Sequence, residues 1–158
     1  MLSAGALVAA LLVAGQTPVS GAVPGYDSAY AGESAFLTVG PGTSGQFQVF
    51  FMNTGTTLWR KGTTSQVNLA VCLADKTTCD VESPLASWND GSWLSSRAYS
   101  THIQGEVAPS QLGTFVYSFK VPLTVTSGVY RFNGDLALAT GQQIHPEGYY
   151  QEASCACP

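Results

Sequence analysis

The sequence predicts an all-β fold: an immunoglobulin-like antiparallel β-sandwich preceded by a short apolar N-terminal segment. Apolar residues alternate with period two from about residue 34 onward, which is typical of half-buried strands. Turn-forming residues separate these runs, and no stretch beyond residue 22 shows sustained helical periodicity. The length of 158 residues allows one domain with a hydrophobic core and is too short for two comfortable ones.

Residues 1–22 form the apolar segment, and Met1–Gly15 (MLSAGALVAALLVAG) carries no charge. One interpretation is a secretory signal peptide, with small residues at 20–22 as a cleavage site before Val23, although its start lacks Lys and Arg. The other is a retained segment used for assembly. A helix over Met1–Gly15 would span about 22 Å, short of the ~30 Å hydrocarbon core, so a stable membrane anchor is not expected. Both interpretations place the protein outside the cytoplasm, in the extracellular space or on the cell surface.

Residues 23–33 are predicted to be an extended connector, and residues 34–158 the sandwich with a cysteine-containing C-terminal tail. The clearest alternation predicts strands at Gln46–Asn53, Gly113–Val121 and Gly128–Ala137. Shorter candidate strands are Ser34–Val39, Gln66–Cys72, Trp93–Tyr99 and Thr101–Val107. A turn at His145–Tyr150 is expected to open onto a final strand.

Three stretches have a distinctive pattern. They are Asn53-Thr-Gly-Thr-Thr-Leu-Trp59, Pro109-Ser-Gln-Leu-Gly-Thr-Phe115 and the later Pro122…Gly128-Val-Tyr130. Together they resemble the FW (four-tryptophan) immunoglobulin-like domain family, found in bacterial surface proteins and autophagy receptors. The resemblance covers roughly residues 34–153, but the chain has three tryptophans, and the insert around Cys72–Cys79 is not part of the pattern. The resemblance implies a fold and a surface habitat, and it implies no reaction.

Charge argues against polyanionic partners. Only 10% of residues are charged, against roughly a quarter in an average domain, and the formal net charge is −4. Arg60-Lys61 is the only adjacent basic pair. Binding nucleic acid requires several Lys or Arg side chains that displace counterions, so a nucleic-acid partner is not expected. An anionic membrane surface is not expected for the same reason.

The four cysteines are disulfide candidates in an exported chain. Cys72 and Cys79 have the spacing of a local loop disulfide, which would contribute about 2–3 kcal/mol. Cys155 and Cys157 are not expected to pair with each other, because adjacent-but-one cysteines rarely pair without strain. Three alternatives stay open: structural disulfides that tie the tail to the Cys72–Cys79 region, bridges to a neighbouring subunit, and metal binding by the thiols. Metal binding is the least favoured, since paired Cys-x-x-Cys knuckles are missing.

Five aromatic residues are candidates for a ligand platform: Trp59, Trp88, Trp93, Tyr26 and Tyr30. Trp88 and Trp93 flank a predicted loop tip at residues 89–92 and are therefore the candidate binding residues. Trp59 lies within the FW-like stretch and is expected in the core. The alternative for all five is that they fill the core.

No catalytic residue, cofactor or metal is predicted, because no Gly-x-Ser-x-Gly, His-Glu-x-x-His or phosphate-binding glycine loop occurs. His145 and Glu147 lack an evident third ligand or nucleophile, so we expect a loop histidine bonded to backbone. Asp135 is expected to be a solvated carboxylate on the polar face of a strand. Three acidic residues surround the cysteine loop, but their spacing does not match an EF-hand: Asp75, Asp80 and Glu82.

Two functions follow from these features. The first is a structural subunit of an extracellular filament or pilus-like appendage, in which the apolar segment joins copies of the chain head to tail. The alternative is a secreted adhesion module that binds surface glycans or proteins through loop aromatics. An enzyme is not expected, since no nucleophile, base and orienting group can be named together.

Overall fold

The computed structural model describes residues 23–157, so the predicted apolar segment at 1–22 lies outside the described residues. The described residues form ten strands and a short 3-10 helix. The strands are β1 Ser28–Glu33, β2 Leu37–Val39, β3 Ser44–Asn53, β4 Trp59–Arg60, β5 Val67–Val71, β6 Ala98–Thr101, β7 Glu106–Val107, β8 Leu112–Lys120, β9 Gly128–Leu138 and β10 Tyr149–Cys155. The 3-10 helix is Ala86–Trp88. Within residues 23–157, no helix has the length and apolar character needed to cross a membrane.

Two main sheets form the sandwich. One has the strand order β1-β3-β8, the other has the order β2-β10-β9-β5-β6, and β4 and β7 form a separate two-stranded ladder. The pairings are antiparallel except that of β2 with β10, which is parallel. The predicted immunoglobulin-like β-sandwich is confirmed.

The core lies between the two sheets because alternate residues of β3 and β8 point towards the five-stranded sheet. In β3 these residues are Phe47, Val49 and Phe51, and in β8 they are Phe115, Tyr117 and Phe119. Phe132 of β9 meets them from the opposite sheet. Its ring centroid lies 5.5 Å from that of Phe47 and 5.0 Å from that of Phe119.

Four predicted strands are confirmed with small shifts at their ends. They are β3 (predicted 46–53), β5 (66–72), β8 (113–121) and β9 (128–137). The shorter predicted strands are less accurate. The strand predicted at 34–39 is reduced to β2. The two strands predicted at 93–99 and 101–107 are replaced by β6, which spans the boundary between them, and by the short β7. Residues 95–98 form a tight turn in which the Ser95 N–H donates to the Ala98 carbonyl at 3.0 Å. That turn prevents a continuous strand from Trp93.

The predicted connector at residues 23–33 is wrong for its second half. Ser28–Glu33 is β1, an edge strand that pairs with β3. The run has a single large aromatic residue, Tyr30, and its register shifts between Tyr30 and Gly32. Gly32 has a φ of 143°, which interrupts the regular alternation of side chains along the strand. The sequence of β1 therefore lacks the period-two pattern that predicts a strand.

The residues of the FW-like stretch have structural roles. Asn53 Nδ2 donates to the carbonyls of Thr57 (2.9 Å) and Val107 (3.0 Å), and its Oδ1 accepts from the Gly55 N–H. These bonds fold the chain after β3 so that Trp59 enters the core. Gly113 makes room for the indole, since a Cβ there would lie 2.9 Å from Trp59 Cζ3.

The four cysteines form two disulfides within the chain, Cys72–Cys79 and Cys155–Cys157. The first is the predicted loop disulfide. The second corrects the expectation that the tail cysteines would not pair with each other, and it leaves no thiol for the Cys72–Cys79 region, a neighbouring subunit or a metal. Cys155 ends β10, and the chain leaves the strand at Ala156, which places the two Cα atoms 5.2 Å apart, an ordinary separation for a disulfide. Two disulfides indicate an oxidising compartment outside the cytoplasm.

Candidate binding cleft between two sheet edges

The expectation that Trp88 and Trp93 form an exposed loop-tip platform is wrong. Their exposed fractions are 2% and 6%. The Trp88 ring centroid lies 4.7 Å from that of Tyr130, and Trp93 Nε1 donates to the Ser118 carbonyl at 2.7 Å. Asn89 Oδ1 accepts from the Gly91 N–H at 2.8 Å, which turns the chain so that both indoles point inward. Both tryptophans therefore belong to the core.

Exposed aromatic rings gather instead on the open side of the sandwich, between β1 and β10. A cleft of about 300 Å³ lies there. We call it the aromatic cleft, and its lining residues are Tyr30, Glu33, Phe36, Lys76, Glu147, Gly148, Tyr149 and Tyr150. Tyr30 and Phe36 are 41% and 44% exposed, so their rings are open to a ligand.

Each aromatic ring that lines the cleft packs against another ring. Tyr30 packs edge-on against the core residue Phe51, with ring centroids 5.8 Å apart. Phe36, just before β2, lies 5.6 Å from Tyr150 of β10 with a tilt of 36°. Tyr150 points away from the core because it alternates with the buried Tyr149. These contacts fix the positions of Tyr30, Phe36 and Tyr150 at the cleft.

Two cations stand over the Tyr150 ring. Lys76 Nζ lies 4.9 Å from the ring centroid and Arg131 Cζ lies 4.6 Å from it, within the range of cation–π attraction. Arg131 Nε also donates to Glu152 Oε2 at 3.1 Å. Gly148 (φ 61°) allows Lys76 to approach, because a Cβ at that position would lie 2.5 Å from Lys76 Cβ. These contacts hold Tyr150 at the border of the cleft.

Two carboxylates face the cleft, and neutral groups hold both. Glu33 Oε2 accepts from Nε2 of the buried Gln151 at 2.6 Å. Glu147 Oε2 accepts from the backbone N–H of Tyr30 at 3.0 Å, which closes part of the β1 edge. Partial burial and the neighbouring Glu33 carboxylate raise the pKa of the Tyr30 phenol.

Asp135 anchors the loop that supplies Glu147. Its carboxylate is buried in β9 and accepts hydrogen bonds from the backbone N–H groups of Glu147 (3.0 Å) and Gly148 (3.1 Å). It also accepts from the Leu136 N–H at 2.7 Å and from Gln143 Nε2 at 3.2 Å. Burial raises the pKa of Asp135, and these hydrogen bonds oppose that shift. The expectation of a solvated carboxylate is wrong because the loop before β10 folds back over it.

His145 does not bond to backbone as expected. Its Nδ1 lies 2.6 Å from Asp27 Oδ1, which ties the loop before β10 to the start of β1. The acidic residues near the cysteine loop also have partners within the protein. Arg97 forms ion pairs with Asp80 and Glu82 at 3.5 Å each. Asp75 accepts hydrogen bonds from the backbone N–H groups of Thr77 and Thr78. Within residues 23–157, no group of three or more His, Cys, Asp or Glu side chains is arranged to hold a metal ion.

The sequence pattern predicts Tyr30 as a platform candidate but does not predict Phe36, Tyr150 or the carboxylates beside them. The two consecutive tyrosines Tyr149 and Tyr150 do indicate an exposed ring. Adjacent strand residues face opposite sides of a sheet, so one of the two rings had to point away from the core. No comparable local signal exists for Phe36 or Lys76, which reach the cleft only through tertiary packing.

No family model matches the chain, and no curated protein matches its sequence. Among solved structures, the chain is similar to the solution NMR structure of the CARDB domain of PF1109 from Pyrococcus furiosus. The TM-score is 0.46 and the sequence identity is 12%, and the alignment covers 84% of this chain and 97% of that domain.

Proposed function

We propose that the protein is an extracellular carbohydrate-binding module whose ligand lies in the aromatic cleft. The observation that carries the proposal is the convergence of Tyr30, Phe36 and Tyr150, from three separate segments, on one open cleft. The buried core already contains many other aromatic rings, so these three are not required to fill it. Exposed rings gathered with a few polar groups in one concavity are the usual composition of a ligand site.

The chemistry of the lining favours a sugar over a folded protein partner. Aromatic faces provide flat apolar surface for the C–H face of a sugar ring, and the carboxylates of Glu33 and Glu147 accept hydrogen bonds from hydroxyl groups. A volume of about 300 Å³ lies at the lower end of small-ligand sites. A stable protein interface would instead require roughly 800 Å² of contact on each partner.

The test is a glycan array followed by calorimetric titration of the glycans retained. Phe36→Ala is the site variant, because the Phe36 ring is exposed, and Leu123→Ala is the control, since Leu123 is exposed and lies outside the cleft. We expect Phe36→Ala to weaken binding at least about tenfold, in keeping with the loss of ~1.5 kcal/mol of ring contact, while Leu123→Ala binds normally. If both variants bind every glycan as tightly as the native protein does, the cleft is not the binding site.

The filament subunit predicted from the sequence is a separate proposal that depends on residues 1–22. Its support is the uncharged apolar character of Met1–Gly15. Negative-stain electron microscopy of the full chain, beside a chain that starts at Val23, tests it. Filaments from the full chain alone would support a connecting role for the segment, whereas equal behaviour of the two chains would exclude that role.

A further inference from the structure

The charges of the aromatic cleft do not balance. Two of its lining residues, Glu33 and Glu147, are acidic, and Lys76 is its one basic residue. Among the described residues, neither carboxylate forms an ion pair. The Lys76 ammonium is held over the ring of Tyr150 rather than against either carboxylate.

Both carboxylates are positioned by donors that do not neutralise them. Gln151 Nε2 binds Glu33, and the Tyr30 N–H binds Glu147; each of these bonds uses Oε2. A carboxylate has about four acceptor sites, so each keeps capacity for a ligand. The result is a pair of oriented negative charges beside Tyr30, whose ring face also attracts cations.

We infer that the sugar recognised by the cleft is an amino sugar with a free ammonium group. This inference rests on the proposed carbohydrate-binding function and narrows its ligand class. An ammonium near Glu33 and Glu147 would form charge-assisted hydrogen bonds while the sugar ring packs on the aromatic faces. A neutral sugar leaves the two charges uncompensated, and a uronic or sialic acid is repelled by them.

The sharpest test uses two trisaccharides that differ only at nitrogen: the trimer of glucosamine and the trimer of N-acetylglucosamine. Calorimetric titration at a pH where the amines are protonated compares them directly. We expect the glucosamine trimer to bind at least about tenfold more tightly, and the difference to shrink as NaCl screens the exposed charges.

Glu33→Gln and Glu147→Gln keep the hydrogen-bonding shape and remove the charge. Each is expected to weaken binding of the glucosamine trimer about fivefold, while Glu106→Gln, outside the cleft, serves as the matched control. Thermal unfolding of each variant reports on folding independently of binding.

The outcomes separate the two proposals. If the acetylated trimer binds as tightly as the free amine, the ammonium preference is wrong and the carbohydrate function stands. The same conclusion holds if only neutral or acidic glycans bind and Phe36→Ala abolishes their binding. If no sugar binds to the native protein at all, both proposals are overturned. A preference for the free amine that survives both Glu→Gln changes would also refute the assigned carboxylates.

Discussion

The buried carboxylate of Asp135 accepts a 3.0 Å hydrogen bond from the backbone N–H of Glu147, a residue whose own carboxylate faces solvent in the aromatic cleft. A strand residue in the interior thereby sets the position of a surface group. The same carboxylate accepts from the Gly148 N–H, so the loop enters β10 with a fixed geometry. The position of Glu147 at the cleft therefore depends on a carboxylate buried in β9.

Asp135→Ala is expected to lower the free energy of unfolding by about 2–4 kcal/mol, because it leaves several backbone and side-chain donors without their acceptor. It should also speed amide hydrogen exchange at Glu147 and Gly148. Urea unfolding and exchange mass spectrometry measure the two effects. Asp90→Ala, which removes one exposed hydrogen bond from the Ser92 N–H, is the control and should cost much less. Unchanged exchange at both amides would show that Asp135 does not anchor the loop.

Gly113→Ala is expected to destabilise the fold by about 1–3 kcal/mol, since the new methyl group would lie 2.9 Å from the Trp59 ring. Gly105→Ala is the matched control, because a Cβ at Gly105 meets no atom within 4 Å. Urea midpoints of the two variants give the comparison. Equal stability of the two variants would mean that the Trp59 indole has room to move.

Trp88→Ala is expected to cost about 3–5 kcal/mol, because it empties a buried site packed against Tyr130 and Phe119. Thermal and urea unfolding measure the loss, with the exposed Leu123→Ala as the reference. A small loss of stability combined with loss of ligand binding would contradict the core placement and restore the surface role predicted from the sequence.

Acid is expected to destabilise the protein through His102. Burial and the nearby Lys61 ammonium lower the pKa of His102 from its usual 6.5, although the hydrogen bond to Gln104 opposes the shift. Nδ1 lies 2.8 Å from the Gln104 carbonyl oxygen, and Nε2 is buried and has no hydrogen-bond partner among residues 23–157. As the pH falls below 6.5, the unfolded chain takes up the proton first, so the free energy of unfolding decreases.

The measurement for His102 is the urea midpoint at pH values from 8 to 5, for the native chain and for His102→Asn. Asn at this position can still donate to the Gln104 carbonyl but does not titrate. The variant should be less stable at neutral pH and should show a shallower decrease on acidification. Identical slopes would assign the acid sensitivity to other groups.

The two disulfides predict a specific peptide map. Proteolysis without reduction should release Cys72 joined to Cys79 and Cys155 joined to Cys157, and a non-reducing gel should show no covalent dimer. Replacing Cys72 and Cys79 together by Ala should cost about 2–3 kcal/mol, the loop-closure contribution of a short loop. Recovery of a tail cysteine joined to Cys72 or Cys79 would contradict the pairing.

The strands with strong alternation were readable from the sequence. In β3 and β8, rings such as Phe47 and Phe119 recur at every second residue, and that pattern is a local property of each strand. The weakly patterned elements were not readable. β1 has one large aromatic residue and a register shift at Gly32, so its assignment depends on pairing with β3 rather than on its own composition.

By itself, the sequence determined the fold class and the inward faces of the long strands, and the spacing of Cys72 and Cys79 suited the loop disulfide that forms. The tertiary structure alone decided that Trp88 and Trp93 are buried, that Asp135 is an internal anchor, and that an aromatic cleft exists. The physical reason is the range of the interactions. Alternation reports which residues share a face of one strand, whereas the cleft joins groups such as Tyr30 and Glu147, which are 117 residues apart and meet only when the sheet edges close.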